Sequence, residues 1–380
     1  MIRRGRPGRA LRRQVDYLGL QPTREGQASY AHVNEIVAGL RRRSWTVRLI
    51  VPPKPRPGRL DGIRRAVAAL IVQARYFVAC RFQPAPFIYI RTSFMALPTA
   101  VLGKLTGSFV IQEMNGPIDD AYDAWPQLRP LHRLIALSLR LQFRWADAII
   151  CVTPGLIGYL RTFSGRQDGY HVVGNGAAVE RFVPRSTEAP PNGRPYVVFV
   201  GALASWQGID TVLAAKASSP WPDGVDLVIA GEGVMGDRVA EAATTDPGIR
   251  WLGTVPYADS PCLMADSIAA LVPMIDAPRS RFGLSPLKLY EGMAAGVPVI
   301  VSDLAGLAEV VRAHGCGVIV RAGDAQALGL AVAAIAAAPT EARQMGERGR
   351  AAAVGRYSWD TRAGQTEEVL LWVAGDRELG

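Results

Sequence analysis

A lysine and a glutamate stand three positions apart at the start of a helix-like segment. The run reads Arg279-Ser-Arg281-Phe-Gly283-Leu284-Ser285-Pro286-Leu-Lys288-Leu-Tyr-Glu291, continuing as GMAAGVPVIVSD. Ser285 suits an N-cap and Pro286 the first helical position, which puts Lys288 in the first turn. A cation there opposes the helix dipole and makes sense if an anion sits against the exposed amides. Glu291 falls on nearly the same face, and its carboxylate can accept two hydroxyl hydrogen bonds, as from a ribose. A plain surface pair at this spacing, contributing only ~0.2–0.5 kcal/mol, is the competing reading. The glycine-rich start, the Ser-Pro pair and the AAGVPVIVSD sequel together favour the anion site, with Arg279 and Arg281 as further phosphate contacts.

Two other segments fit an anion. Pro22–Ala28 carries Gly26 between a strand and a helix, and Gly201-Ala202-Leu-Ala-Ser-Trp-Gln207-Gly208 runs from a hydrophobic strand into a helix. Both geometries let backbone amides approach a phosphate, and both also read as ordinary strand-to-helix turns. In the first half, His32, Glu113 and Asn115 are candidates for the acceptor side or for structural roles. Asp119, Asp120 and Asp123 read as a general-base cluster or a solvated acidic loop. His132, His171 and His314 join no constellation. Cys80, Cys151, Cys262 and Cys316 are widely spaced and read as buried thiols, with no metal-binding pattern.

These residues need elements to position them. Apolar strand-like runs alternate with helix-like segments, which predicts parallel sheets covered by helices. Strands are expected at 14–18, 46–51, 87–91, 108–112, 148–152 and 170–173. A Pro-rich, charged break follows at 184–195, and the pattern restarts at 196–200, 226–230, 249–252, 269–272, 297–301 and 318–320. Helices are expected between them, and Trp359–Val373 is amphipathic at helical period. In open sheets of this kind ligands bind beyond the carboxyl ends of the strands, where all three candidate segments lie.

The runs SPLKLYEGMAAGVPVIVSD, VFVGALASWQGIDTVLAA, LVIAGEG, GNGAAVERFVP and YSWDTRAGQ resemble the donor-binding half of family 4 glycosyltransferases. VIQEMNGP and WADAIICVTPGLIGYL are similar to their first half. The resemblance implies an α/β GT-B fold: an N-terminal Rossmann-like acceptor-side domain over 1–187, a nucleotide-sugar-binding domain over 188–356, and a C-terminal helix over 357–380 that crosses back. It implies retaining, metal-independent transfer from a nucleotide sugar, UDP- or GDP-linked rather than ADP-linked, to a glycan or lipid-linked acceptor in cell-surface polysaccharide or glycoconjugate synthesis. By the same resemblance Glu291 binds the ribose and Lys288 the pyrophosphate. Gly201 lies beneath the phosphates, Asn175 and Gly176 begin the interdomain stretch, and Gly26 is the first-domain glycine. Donor contacts extend over Ala202, Gln207, Gly208, Gly283, Leu284 and Ser285. Four positions depart from the family pattern: Gly283 stands for the first glutamate of the paired motif, Ala202 for an arginine, Gln207 for a lysine and Ala178 for the acid after the NG pair. A non-catalytic nucleotide-sugar binder and a sugar-nucleotide epimerase of the same fold are the alternatives. A dehydrogenase is disfavoured, since no GxGxxG with a downstream acid follows the first strand.

The chain has 380 residues, enough for two domains, and a net charge of +10 that is unevenly shared. Residues 1–189 carry +16 and residues 190–380 carry −6. A basic first half attracts anions, and no helix-turn-helix, zinc or RNP-type signature points to nucleic acid. Arg41, Arg42, Arg43, Arg64, Arg65, Arg75 and Arg81 are expected either to touch an anionic membrane or simply to solubilise the surface. The segment at 63–82 is interrupted by arginines and Ala325–Ala338 is short for a span. The expected location is cytoplasmic, peripheral at the inner face of the membrane if those arginines touch lipid.

Overall fold

The computed structural model describes residues 12–21, 27–53, 61–81, 83–185 and 193–375. Gly26 and most of its loop, and the middle of the break at 184–195, lie outside the described residues. The first unit contains β1 (Gln14–Gly19), α1 (Ala28–Arg42), β2 (Thr46–Ile50), α2 (Asp61–Ala79), β3 (Phe87–Arg91), α3 (Leu97–Thr106) and β4 (Phe109–Met114). It continues with α4 (Asp119–Ala124), α5 (His132–Trp145), β5 (Ala148–Cys151), α6 (Gly155–Ser164) and β6 (Tyr170–Val172). The second contains β7 (Tyr196–Val200), α7 (Ile209–Lys216), β8 (Asp226–Ala230), α8 (Gly236–Thr245), β9 (Ile249–Trp251), α9 (Ser260–Ala265) and β10 (Ala269–Val272). It closes with α10 (Leu287–Ala294), β11 (Val299–Ser302), α11 (Ala308–His314), β12 (Gly317–Val320), α12 (Ala325–Ala337) and α13 (Pro339–Arg356). α14 (Trp359–Ala374) ends the described chain.

Each unit holds one parallel six-stranded sheet, ordered β2-β1-β3-β4-β5-β6 and β12-β11-β10-β7-β8-β9. The strands are near-continuous apolar runs because helices cover both faces; every residue of β5, β8 and β10 is buried. In the second sheet the order reverses between β7 and β10. A crevice between the loops that leave these two strands is where such folds take ligands. The loop after β7 is the Gly201–Gly208 segment, and the loop after β10 runs through Arg279 to Ser285 into α10.

α14 packs on α1 of the first unit, so the chain returns across the seam. Ser358 caps it, its side chain accepting from the Thr361 amide at 3.0 Å. Ala177 and the Tyr357–Trp359 turn then pair as neighbouring strands would: Ala177 N donates to Tyr357 O at 2.8 Å and Trp359 N to Ala177 O at 3.0 Å. Arg43 holds Asp360 through two bonds, 2.7 and 2.9 Å. Trp45 Nε1 and Arg13 both donate to Glu367, at 2.8 and 3.0 Å.

Three expectations change here. Arg43 and Arg42 pair with Asp360, and Arg41 donates to the Val47 carbonyl, so these arginines bind the returning helix and their own turn. Cys262 is exposed, while the other three thiols are buried. Ser285 does not cap α10; its N-cap is Pro286, with no side-chain bond to the helix amides.

The α1–α14 contact depends on a missing side chain. A Cβ added at Gly39 would lie 2.3 Å from Ala363 Cβ. Gly39→Ala should therefore lower stability by about 1–3 kcal/mol, as overpacking does. A thermal melt of this variant, and of Gly39→Ala with Ala363→Gly, tests the contact. The second substitution should restore most of the loss.

Candidate active site

α10 is buried along its whole length, including the two charged residues on it: Lys288 and Glu291 are each 6% exposed. The surface-pair reading therefore falls away, and no ion pair joins them among the described residues. The Lys288 amine donates to Gln207 Oε1 at 2.7 Å and lies 3.7 Å from the centroid of the Phe199 ring. A Cβ on Gly201 would touch its Cε and Nζ at 3.4 Å, so the glycine leaves room for the lysine. Gln207, where the family pattern has a lysine, gives Lys288 a neutral acceptor rather than a second cation. Burial lowers the Lys288 pKa to about 7, against the opposing pull of Glu291. Burial likewise pushes Glu291 up to about 7, although Tyr257 donates to its Oε1 at 3.2 Å and Lys288 also favours the charged form. Both groups are thus held near neutrality, the range in which ligand charge decides their protonation.

Gly283 is not a simple vacancy for a carboxylate. Its φ of 78° and ψ of 158° lie in a region open essentially to glycine alone. Leu284 is buried, and its amide donates to the Ala305 carbonyl at 2.8 Å. Arg279 pairs with Asp120 of the first unit at 3.5 Å and lies over the Trp206 ring, 5.6 Å from its centroid. Asp120 of the acidic segment therefore faces the donor-side loop. Arg281 is exposed, as is Ala202, while Gly208 is buried beneath the Gln207 turn.

The first-domain candidates form a different structure from the one expected. Glu113 is fully buried and His32 is 3% exposed. Glu113 Oε2 accepts from Tyr89 at 2.5 Å, His32 Nε2 at 3.0 Å and Tyr17 at 3.3 Å, and Oε1 accepts from Asn115 at 2.6 Å. Burial alone would raise its pKa, but the His32 ring, Arg91 and the Tyr89 hydroxyl together hold it well below the usual carboxylate range. Glu113 and His32 are thus sealed in the seam rather than open to an acceptor, and only Asn115 keeps partial exposure. His32 Nδ1 meets Asn175 Oδ1 at 2.7 Å. Asn175 Nδ2 donates to the Ser285 carbonyl at 2.5 Å, and its backbone amide donates to Ser285 Oγ at 3.0 Å. Arg362, from α14, donates to the Asn175 carbonyl at 2.9 Å. Neither Asn175 nor Arg362 was tied to this site by its type or spacing; only the NG pair signalled the former. His171 and His314 pack on Trp372 and Tyr357, in line with structural roles.

Two family models match the chain, a glycosyl transferase 4-like domain over residues 26–176 and glycosyl transferases group 1 over residues 182–352. The phosphatidyl-myo-inositol mannosyltransferase of Mycobacterium leprae is 34% identical over 363 residues, 90% of this chain and 92% of its own length. The chain belongs to this glycosyltransferase family. A match to the glycogen synthase of Mycobacterium tuberculosis is 28% identical and spans 53% of this chain, but only 48% of that protein's length. Among solved structures, sucrose-phosphate synthase of Thermosynechococcus elongatus superposes with a TM-score of 0.76 at 17% identity, covering 96% of this chain and 99% of that one. Anabaena HepE in complex with UDP superposes with a TM-score of 0.70 at 15% identity, covering 94% and 98%. These likenesses establish the GT-B fold.

Because burial lowers Lys288 from 10.5 to about 7, the folded protein holds the charged amine less readily than the unfolded chain does. The cost of holding it charged appears as pH falls below 10.5 and is complete below about 7. Lys288→Met removes that cost, so its melting temperature should equal or exceed that of the wild type at pH 6, with the gap narrowing towards pH 10. A lower melting temperature at pH 6 would show that the charged amine is stabilising in the free protein.

Proposed function

We propose that the protein transfers a sugar, with retention and without a required metal, from a UDP- or GDP-linked donor to a glycan or lipid-linked acceptor. The observation that carries this reading is the Lys288 amine. It is buried at the start of α10, faces the loop after β7, and has no carboxylate in ion-pair contact among the described residues. A diphosphate in that crevice would supply the missing counter-charge, aided by the free amides of the helix start. Glu291, one turn on, would take the ribose hydroxyls in place of the Tyr257 hydroxyl. Transfer breaks the bond between the anomeric carbon and the diphosphate oxygen. The acceptor hydroxyl attacks from the same face and gives its proton to the departing oxygen. Lys288 stabilises the charge that grows on that oxygen. The UDP-bound state of HepE supports a uridine donor, and a relative from Mycobacterium tuberculosis, the GDP-mannose-dependent alpha-mannosyltransferase, 26% identical over 209 residues, supports a GDP-linked one.

A lipid-linked acceptor draws support from the first domain. α2 exposes Leu70, Ile71 and Val78, and α5 exposes Leu134 and Leu137, each set interleaved with arginines. Both helices contact the turn at 94–96, so they share one side of the sheet. Apolar residues among arginines suit an anionic bilayer surface. Of the arginines expected at a membrane, Arg64, Arg65 and Arg75 lie on α2, while Arg41–Arg43 do not belong to this face. Among the described residues no single helix is long and apolar enough to cross a membrane; α12 and α13 qualify only jointly and are bent by 102°.

Two experiments test the reading. Lys288→Ala should cut sugar transfer by about 10²–10³-fold while the protein stays folded. Normal turnover in that variant would remove Lys288 from the mechanism, and a wild type that binds donor but never turns over would favour the non-catalytic alternative. In sedimentation with phosphatidylserine vesicles, the protein should bind at low salt and less at moderate salt, and Leu70→Glu with Leu134→Glu should weaken it. Absence of binding at both salt levels rejects the membrane surface.

A further inference from the structure

His32 lies far from α10 in sequence yet is linked to it by two contacts. Glu113, on one side, can only accept hydrogen bonds when ionised. Asn175, on the other, has its amide orientation set by the bond from its Nδ2 to the Ser285 carbonyl, so its Oδ1 is what faces His32. Each ring nitrogen therefore meets an oxygen, one on Glu113 and one on Asn175. Around the ring stand Glu113 with Tyr17 and Tyr89 from the sheet, Arg91 beyond the carboxylate, and the Trp359 edge from α14, 5.3 Å away. Arg362 approaches from the same helix and holds the Asn175 carbonyl. Glu35, on the same helix as His32, pairs with Arg181 instead. Glu113 is the carboxylate facing the ring. At the far end, Ser285 is the last residue before the Pro286–Leu287 start of α10, and its hydroxyl is shared between the Asn175 amide and the Tyr290 hydroxyl at 3.1 Å.

We propose that His32 is a positioning residue for the donor site: its ring ties Glu113 of the first domain to Asn175 at the domain joint, and Asn175 sets the position of Ser285 and hence of the α10 start. The inference rests on the donor lying at α10, as proposed above. A first-domain group thereby contributes to the affinity of a ligand held by the second domain, without touching it. Without the ring, Asn175 would lose the contact that holds its side-chain oxygen. The coupling is carried by packed, buried hydrogen bonds, in which a missing donor leaves its acceptor unsatisfied.

The test uses the full chain and UDP and GDP as probes. His32→Gln, Asn175→Ala and the double variant are checked for folding by circular dichroism and thermal melts, and nucleotide binding is measured by calorimetry. Each single variant should bind the preferred nucleotide about tenfold more weakly, and the double variant no more weakly than the weaker single, because both act through one chain of contacts. A folded His32→Gln that binds as tightly as the wild type, or additive losses in the double variant, would each overturn the proposal. If the wild type binds neither nucleotide, the donor reading itself has failed and the proposal falls with it.

Discussion

Removing an amine from water without a carboxylate to meet it is unfavourable, and the second domain does this at Lys288. The apolar ring of Phe199, the neutral amide of Gln207 and the bare backbone of Gly201 surround a group that in water would stay charged. Each neighbour can be understood from that constraint. A side chain at 201 would push the lysine away; a lysine at 207 would repel it. Glu291 lies close enough to bias its proton but makes no contact ion pair. The crevice at the reversal of strand order is thus electrostatically unfinished, and an anionic ligand there would complete it.

The seam between the domains solves the opposite problem. Glu113 is equally removed from water, but its oxygens receive four donors, so its charge is fully compensated. A compensated charge can serve as a fixed anchor, and the residues linked to it inherit its position. The same buried-charge physics therefore gives a reactive group on one side of the molecule and a rigid one on the other. The difference is the number of hydrogen-bond partners, one for Lys288 and four for Glu113, not the depth of burial.

Much of this was legible in the chain. The twelve strands among the described residues fall on segments that the alternation marks out; those buried on both faces, such as β5, β8 and β10, leave a continuous hydrophobic signal, while β2, β6 and β9 carry polar or exposed positions. The Lys288–Glu291 spacing and its glycine-rich approach were readable because helix geometry converts spacing directly into proximity. α4, α9 and α13 were not: α13 is rich in Arg, Glu and small residues and carries little amphipathic pattern, and it is held by packing on α10. The His32–Asn175–Ser285 linkage was hidden because it joins positions 143 and 110 residues apart, and no local rule couples them. Ser285 illustrates the same limit. Its type and place suit a cap, but Asn175 claims its hydroxyl instead.

The pairing of Ala177 with the Tyr357–Trp359 turn has a mechanical consequence. The polypeptide passes between the halves twice, and here the two passages lie side by side, stitched together by backbone hydrogen bonds. Two threads fastened at one spot resist shear, since sliding would tear the stitch, but they allow pivoting about it. A pivot about the stitch, as of a book's covers about its spine, is then a relative motion of the halves that leaves these hydrogen bonds intact.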